Sequence, residues 1–268
     1  MNNLREDQIE RYCRHIILPE IGGSGQKKIL QSKVLIIGTG GLGSVISFYL
    51  AAAGVGKIGL ADNEKVELNN LQRQIIHFTK DIGKEKTASA KEKINALNPD
   101  CSVTIYRERI TSKNIFDIIK DYDIVIDGSD NFPTRYLVND ACVLSNKPLS
   151  HGAVFRFEGQ VMTIIPGKGP CFRCLFKTPP SPGTIPSCQE AGILGTVPGI
   201  IGLIQTTEVL KFILGKGDLL VGKLLTVNTM EMNFRKVEVP HNKNCAICGK
   251  NPTIKKLIDY EEFCGLTR

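Results

Sequence analysis

Residues 34–43 read VLIIGTGGLG, and the fold follows from this stretch. Val34–Ile37 is a short apolar, β-branched run of the kind that forms a buried strand, and it ends in Gly38, Gly40, Gly41 and Gly43. Gly38 permits a tight turn, Gly40 lets the backbone approach a phosphate, and Gly43 lets the following helix pack closely on the strand. After Gly43 neither Gly nor Pro interrupts the chain as far as Ala53, so Leu42–Ala53 reads as that helix. The unpaired N–H groups at a helix start favour an anion. A strand, a glycine loop and a helix in this order predict a nucleotide site.

Working outward, Ile58–Ala61 is a second apolar run that ends at Asp62, where a carboxylate accepts hydrogen bonds from ribose hydroxyls. Lys84–Leu97 reads as a helix with Ala90, Ile94 and Leu97 on one face and a stop at Asn98–Pro99. Val103–Tyr106 and Ile124–Ile126 read as further strands. Strands alternating with helices predict a mostly parallel sheet with helices on both faces. Beyond Pro148 the pattern changes. Val154–Phe157 with Gln160–Ile165 reads as a hairpin around Glu158–Gly159, and Leu224–Val227 with Phe234–Val239 as another antiparallel pair. The expected fold is therefore a Rossmann-like α/β mixed sheet, with a parallel nucleotide-binding half and an antiparallel extension. Lys177–Gly192, rich in Pro, Gly and Ser, is expected to be a long loop.

At 268 residues the chain is short enough for one compact unit. Its 42% hydrophobic and 23% charged residues exclude disordered and fibrous classes. The net charge of +7 comes from lysines spread along the chain, not from a tail or stripe, so a nucleic-acid partner is not expected. Met1–Arg14 is polar and does not read as a signal peptide. Gly192–Thr207 is too short and broken for a bilayer span and reads as a buried helix with its lead-in. Nine cysteines, an odd number, fit a reducing cytoplasm better than a disulfide framework.

The chemistry-bearing residues extend the nucleotide reading. Asn70 and Arg73 follow Asp62 in DNEKVELNNLQRQ, and Lys86 opens the next helix, so cations fall where phosphates would lie. NAD needs little positive charge there, whereas a triphosphate losing pyrophosphate needs Arg and Lys to stabilise the leaving group. In IVIDGSDN, Asp127 stands at a strand end and suits a brace for the loop; Asp130 is the better Mg²⁺ ligand. Cys171 and Cys174 form one Cys-x-x-Cys pair and Cys245 and Cys248 another, the spacing of a closed structural Zn²⁺ site. Cys188, in the Pro/Gly-rich loop, reads either as a nucleophile or as a tolerated thiol. Cys13, Cys101, Cys142 and Cys264 read as small buried residues, and the four histidines receive no catalytic role.

Together with RYCRHIILPEIGGSGQ (11–26), RFEGQV (156–161), SCQEAGILG (187–195), NCAICG (244–249) and LIDYEEFCG (257–265), these motifs cover nearly the whole chain. The constellation resembles the E1-like adenylating family typified by bacterial molybdopterin-synthase adenylyltransferase and its thiamine-pathway counterpart. The resemblance implies a homodimer that uses ATP and Mg²⁺ to adenylate the C-terminal Gly-Gly of a small ubiquitin-fold sulfur carrier. It implies that Gly41 contacts phosphate, Asp62 the ribose, Asn70, Arg73 and Lys86 the polyphosphate, and Asp130 the Mg²⁺, with Asn131 in the same DGSDN segment also at the nucleotide. Arg14 would reach the nucleotide of the other subunit. The implied layout is one domain over 1–268, with a helical arm (1–33), a nucleotide-binding half (34–150) and a carrier-binding half holding the zinc clasp and crossover loop (151–268). Asn69 stands where a serine is common. No rhodanese domain follows FCGLTR in this sequence, so sulfur is expected from a separate cysteine desulfurase or sulfurtransferase. The competing readings are an NAD-dependent oxidoreductase, which explains neither Arg73 nor Lys86, and a zinc-dependent nucleic-acid or scaffold module, which the dispersed charge disfavours.

Overall fold

The computed structural model of the chain describes residues 4–181, 183–184 and 188–266, and the side chains of Cys188 and Gln189 lie outside that description. Two helices, α1 (Glu6–Ile16) and α2 (Gly22–Gln31), lead into β1 (Lys33–Ile37), α3 (Gly41–Ala53) and β2 (Lys57–Ala61). Single helical turns at Leu68–Asn70 and Thr79–Asp81 precede α4 (Lys86–Leu97), β3 (Ser102–Tyr106), α5 (Ile115–Ile119), β4 (Ile124–Asp127) and α6 (Phe132–Leu144). Then come β5 (Leu149–Phe155), β6 (Glu158–Ile164), α7 (Phe172–Leu175), α8 (Cys188–Ala191), α9 (Thr196–Leu214), β7 (Lys223–Asn228), β8 (Asn233–Glu238) and α10 (Tyr260–Phe263).

The strands form one eight-stranded sheet in the order β3-β2-β1-β4-β5-β6-β7-β8. Pairing is parallel from β3 through β5 and antiparallel from β5 through β8. The expected mixed sheet is observed. Successive strand residues serve opposite faces and helices cover both, which is why β1, β2 and β4 are buried along almost their whole length. Val34 and Ile36 join the core beneath α3, α4 and α9, while Leu35 and Ile37 join the core beneath α5 and α6. The chain leaves β1 toward β2 on one side and returns to β4 on the other, opening a crevice at the carboxyl ends of these strands.

Several local readings are corrected. The first hairpin turns at Arg156–Phe157, not at Glu158–Gly159: Phe155 pairs with Glu158, and Arg156 takes the left-handed conformation with φ of 53°. Gly159 is spent on packing, because a Cβ there would lie 2.3 Å from the Ile201 side chain. Helix α4 begins two residues later than expected, since Lys84 O accepts from Val66 N and Glu85 bridges Lys65. On that helix Ala90 and Ile94 are buried, but Leu97 is 39% exposed. Cys13 is exposed, whereas Cys101, Cys142 and Cys264 are buried. Within the expected long loop, CQEA forms the single turn α8.

Among the described residues, α9 alone is long and apolar enough to cross a membrane by length and composition. Here it is a core helix packed on α3, β5 and β6. Its buried Glu208 accepts from Thr163 Oγ1 at 2.6 Å and from Leu220 N at 2.7 Å, so the charge is satisfied within the protein.

Candidate active site and cysteine cluster

The crevice is lined by Gly38, Gly40, Gly41, Asp62, Asn70, Arg73, Lys86, Asp130 and Asn131, residues spread over more than ninety positions that the sheet brings to one place. Gly43 is not among the lining. A Cβ on it would sit 2.0 Å from Gly38 O, so Gly43 admits α3 to the end of β1, as the packing reading requires. Gly38 has φ of 88°, a conformation that favours glycine.

Asp62 is oriented before any ligand arrives. Its Oδ2 accepts from Thr39 N at 2.8 Å and Thr39 Oγ1 at 2.9 Å, and its Oδ1 from Glu64 N at 2.9 Å. Buried Asn70 accepts from Glu67 N through Oδ1 at 3.1 Å and donates to Asn69 Oδ1. Arg73 donates to Asn69 O at 3.1 Å. Lys86 pairs with Glu64 at 2.5 Å, its side chain 4% exposed against 65% for Glu64. Asp127 braces its loop, as expected: Oδ1 accepts from Ser129 N and Oγ, and Oδ2 meets His151 Nδ1 at 2.9 Å. Burial works to raise the Asp127 carboxyl, but the bond to His151, with Arg135 and Ser129, holds it below its ordinary range. Asp130 is exposed, and Asn131 caps α6 by accepting from Thr134 N at 3.0 Å. Arg14 lies on the exposed face of α1 and does not line the crevice of its own chain. The Cys188 side chain lies outside the described residues.

A second groove adjoins the first and shares Asp130, Asn131, Arg135 and Val154 with it. Its walls include Phe155, Phe172, Phe176, Pro179 and Val227. A polar crevice thus opens directly into an apolar channel. Arg135 at the junction donates to Ser129 O at 3.3 Å and lies over the Phe132 ring. Sequence reasoning missed Arg135; its signal is a cation one helical turn beyond the Asn131 cap, which turns it toward the strand ends.

Cys171, Cys174, Cys245 and Cys248 converge, with all four sulfurs within 4.8 Å of one another. Cys171 lies 3.6 Å from Cys245, and Cys174 lies 3.4 Å from Cys248. Zn–S bonds of about 2.3 Å give a tetrahedral S···S edge of about 3.8 Å, so the set fits Zn²⁺. Gly249 completes the second pair's turn: a Cβ there would meet Cys245 O at 2.5 Å. Between the first pair, Arg173 is buried in a two-pronged bond to Asp140, which also accepts from Tyr260 Oη at 2.8 Å.

The ThiF family model matches residues 12–247. The chain belongs to the ThiF family. This ThiF-family chain is 46% identical over 266 residues to a sulfur carrier protein adenylyltransferase of Thermus thermophilus, with 97% of the chain and 98% of that protein covered. It is 44% identical to the SAMP-activating enzyme E1 of Haloferax volcanii, covering 99% and 98%. It is 43% identical to the probable adenylyltransferase/sulfurtransferase MoeZ of Mycobacterium tuberculosis, covering 98% of the chain but 67% of that protein. Among solved structures, Escherichia coli MccB with ATP superposes with a TM-score of 0.77 at 25% identity, covering 89% of the chain and 74% of MccB. The expected family and fold are borne out.

Proposed function

We infer that this ThiF-family chain is an ATP-dependent adenylyltransferase acting on the C-terminal Gly-Gly of a small ubiquitin-fold sulfur carrier. The near full-length likeness to a sulfur carrier protein adenylyltransferase supports the reaction class. The observation that carries it to the site is the join between the polar crevice and the apolar channel at Asp130, Asn131 and Arg135. An extended, side-chain-poor peptide end lying in the channel would present its carboxylate to a nucleotide in the crevice.

In this reading the carboxylate oxygen attacks the α-phosphorus, the bond to the β-phosphate oxygen breaks, and pyrophosphate leaves an acyl-adenylate. The carboxylate is already ionised at neutral pH, so no general base is needed. Catalysis rests on positioning and on charge stabilisation. Asp62 would hold the ribose; Asn70, Arg73 and Lys86, with the Gly40–Gly41 backbone, would hold the polyphosphate. Asp130, an exposed carboxylate in the crevice, fits Mg²⁺ shared with phosphates; when bound, the ion supplies charge neutralisation there. The four thiolates would hold a structural Zn²⁺, since a closed set leaves no open coordination position.

We further propose a cytoplasmic homodimer in which Arg14 serves the partner's nucleotide, a single domain divided at about residues 33 and 150, and a separate persulfide donor for the step after adenylation. The free thiols among the described residues suit a reducing compartment. ATP–pyrophosphate exchange tests the central reading. The wild type should exchange only with a carrier ending in Gly-Gly, and Asp130→Ala should lose about a thousandfold with its melting temperature unchanged within about 2 °C. Exchange with a carrier lacking the terminal glycine, or full activity in Asp130→Ala, sinks the mechanism. For the dimer, mixing Arg14→Ala with Lys86→Ala subunits should recover part of the activity. No recovery despite demonstrated subunit exchange removes the role across subunits.

A further inference from the structure

His77 received no role from the sequence, yet it is buried behind the glycine loop that edges the candidate ATP site, 3% exposed. Its Nε2 lies 3.1 Å from Thr39 O in the glycine loop, and its Nδ1 lies 2.9 Å from Ser89 Oγ on α4. Ser89 Oγ is in turn 3.1 Å from Lys93 Nζ, which pairs with the buried carboxylate of Asp81 and lies over the Phe78 ring. These contacts run in one direction only. An ammonium can only donate, so Ser89 Oγ accepts from Lys93 and keeps its own proton available for His77 Nδ1. A carbonyl can only accept, so the imidazole proton is on Nε2 and points to Thr39 O. One neutral tautomer, with the proton on Nε2 and a lone pair on Nδ1, satisfies both ends. Burial favours that state by holding the His77 pKa down to about 4 against the opposing pull of the bond to Thr39 O; the facing charges of Lys86 and Lys93 add to the effect of burial and Asp62 opposes it.

We propose that His77 is a positioning residue of the ATP site, a neutral imidazole that passes a directed hydrogen-bond chain from Lys93 through Ser89 to Thr39 and so fixes the phosphate-facing backbone of the glycine loop. This rests on the reading of the chain as an ATP-dependent adenylyltransferase.

Thr39 is held from both sides: its own N–H and hydroxyl donate to Asp62, and its carbonyl accepts from His77. A trans peptide places N–H opposite C=O, so the Gly40 N–H is turned away from His77. That N–H donates to no acceptor among the described residues, and Gly40 lines the crevice. An oriented free N–H beside the start of α3 is what a phosphate oxygen requires. His77, through its ring and its backbone, ties together three elements that carry the other nucleotide contacts. It follows the Asn70–Gln74 segment, donating through its own backbone N to Gln74 O at 3.0 Å. It also bonds α4 one turn beyond Lys86, and through Thr39 it reaches Asp62.

The test is ATP binding by calorimetry on the full-length protein, with exchange kinetics in parallel. Ser89→Ala and His77→Leu should each weaken ATP about tenfold and raise its KM by the same factor, while KM for the carrier and exchange at saturating ATP stay within about twofold. His77→Gln, whose amide offers N–H to Thr39 O and C=O to Ser89, should recover most of the affinity. Variants that melt lower yet bind ATP as the wild type does would reduce His77 to a core residue and overturn the proposal. Failure of His77→Gln to recover overturns the donor direction assigned here. If His77→Leu does not fold, Ser89→Ala, which removes a single oxygen, decides. A wild type that binds no ATP overturns the adenylyltransferase reading and the relay with it, an outcome distinct from tight wild-type binding unaffected by the variants.

Discussion

The crevice at the strand ends and the four-cysteine clasp each hold a buried cation against a carboxylate, but one pair is half open and the other closed. Lys86 is 4% exposed while its partner Glu64 is 65% exposed. Arg173 and Asp140 are 3% and 0% exposed, and the Tyr136 and Phe263 rings cover the guanidinium. In the closed pair both charges have lost water and depend on each other. In the open pair the carboxylate can return to solvent and leave the ammonium to a phosphate. In this comparison the fully enclosed pair belongs to the scaffold and the half-open pair to the crevice.

The sharpest break of this comparison is removal of the clasp. We expect one Zn²⁺ per chain, bound by Cys171, Cys174, Cys245 and Cys248, and Cys248→Ser should lose it. Structural zinc contributes on the order of 10 kcal/mol in small peptides, so the region holding α7 and α10 should open to proteolysis first. Metal analysis finding no zinc in protein purified without chelator would falsify the assignment.

The same edit made in both regions comes next in size. Arg173→Leu strands the Asp140 charge in the core and should cost about 3–5 kcal/mol, lowering the melting temperature by about 10 °C. Lys86→Met leaves Glu64 free to turn to water and should cost less than about 1 kcal/mol, yet exchange should fall by at least about a hundredfold. Equal destabilisation by the two would erase the distinction between open and closed pairs.

Acid should separate the regions further. The folded His77 pKa of about 4 lies below the ordinary 6.5, so the unfolded chain takes up its proton first. Its contribution to stability is whole above pH 6.5 and is lost as the pH falls toward 4, on the order of 3 kcal/mol in all. Melting curves between those limits should show the loss, and His77→Gln should flatten it; an unchanged slope in that variant refutes the linkage. The smallest expected effect is on adenylation in Cys188→Ala, which should exchange pyrophosphate as the wild type does. Complete sulfur transfer by that variant, with an external donor, would leave Cys188 a bystander, whereas loss of only that step would assign it a covalent role.

Much of the nucleotide half could be read from local pattern. The run VLII, the glycines after it and the apolar segment ending at Asp62 declare their elements within a few residues, because strand burial and loop geometry are local demands. The Cys-x-x-Cys pairs declared themselves as well, since chelate spacing is written along the chain. Gly159 misled for a physical reason. Glycine suits both a turn and a place where a neighbour needs the room of a Cβ, and Ile201, distant in sequence, made it the second.

The sequence by itself determined the alternation of strands and helices, the glycine loop with its acidic partner, and the cysteine set, all carried by composition and spacing over short stretches. Only the tertiary structure decided that Arg135 stands where two grooves meet and that Lys86 is half open where Arg173 is enclosed. It alone joined His77 to Thr39 and Ser89, and so fixed where the imidazole proton lies. Hydrogen-bond direction and enclosure depend on atoms brought together across the sheet, and no spacing along one chain encodes them.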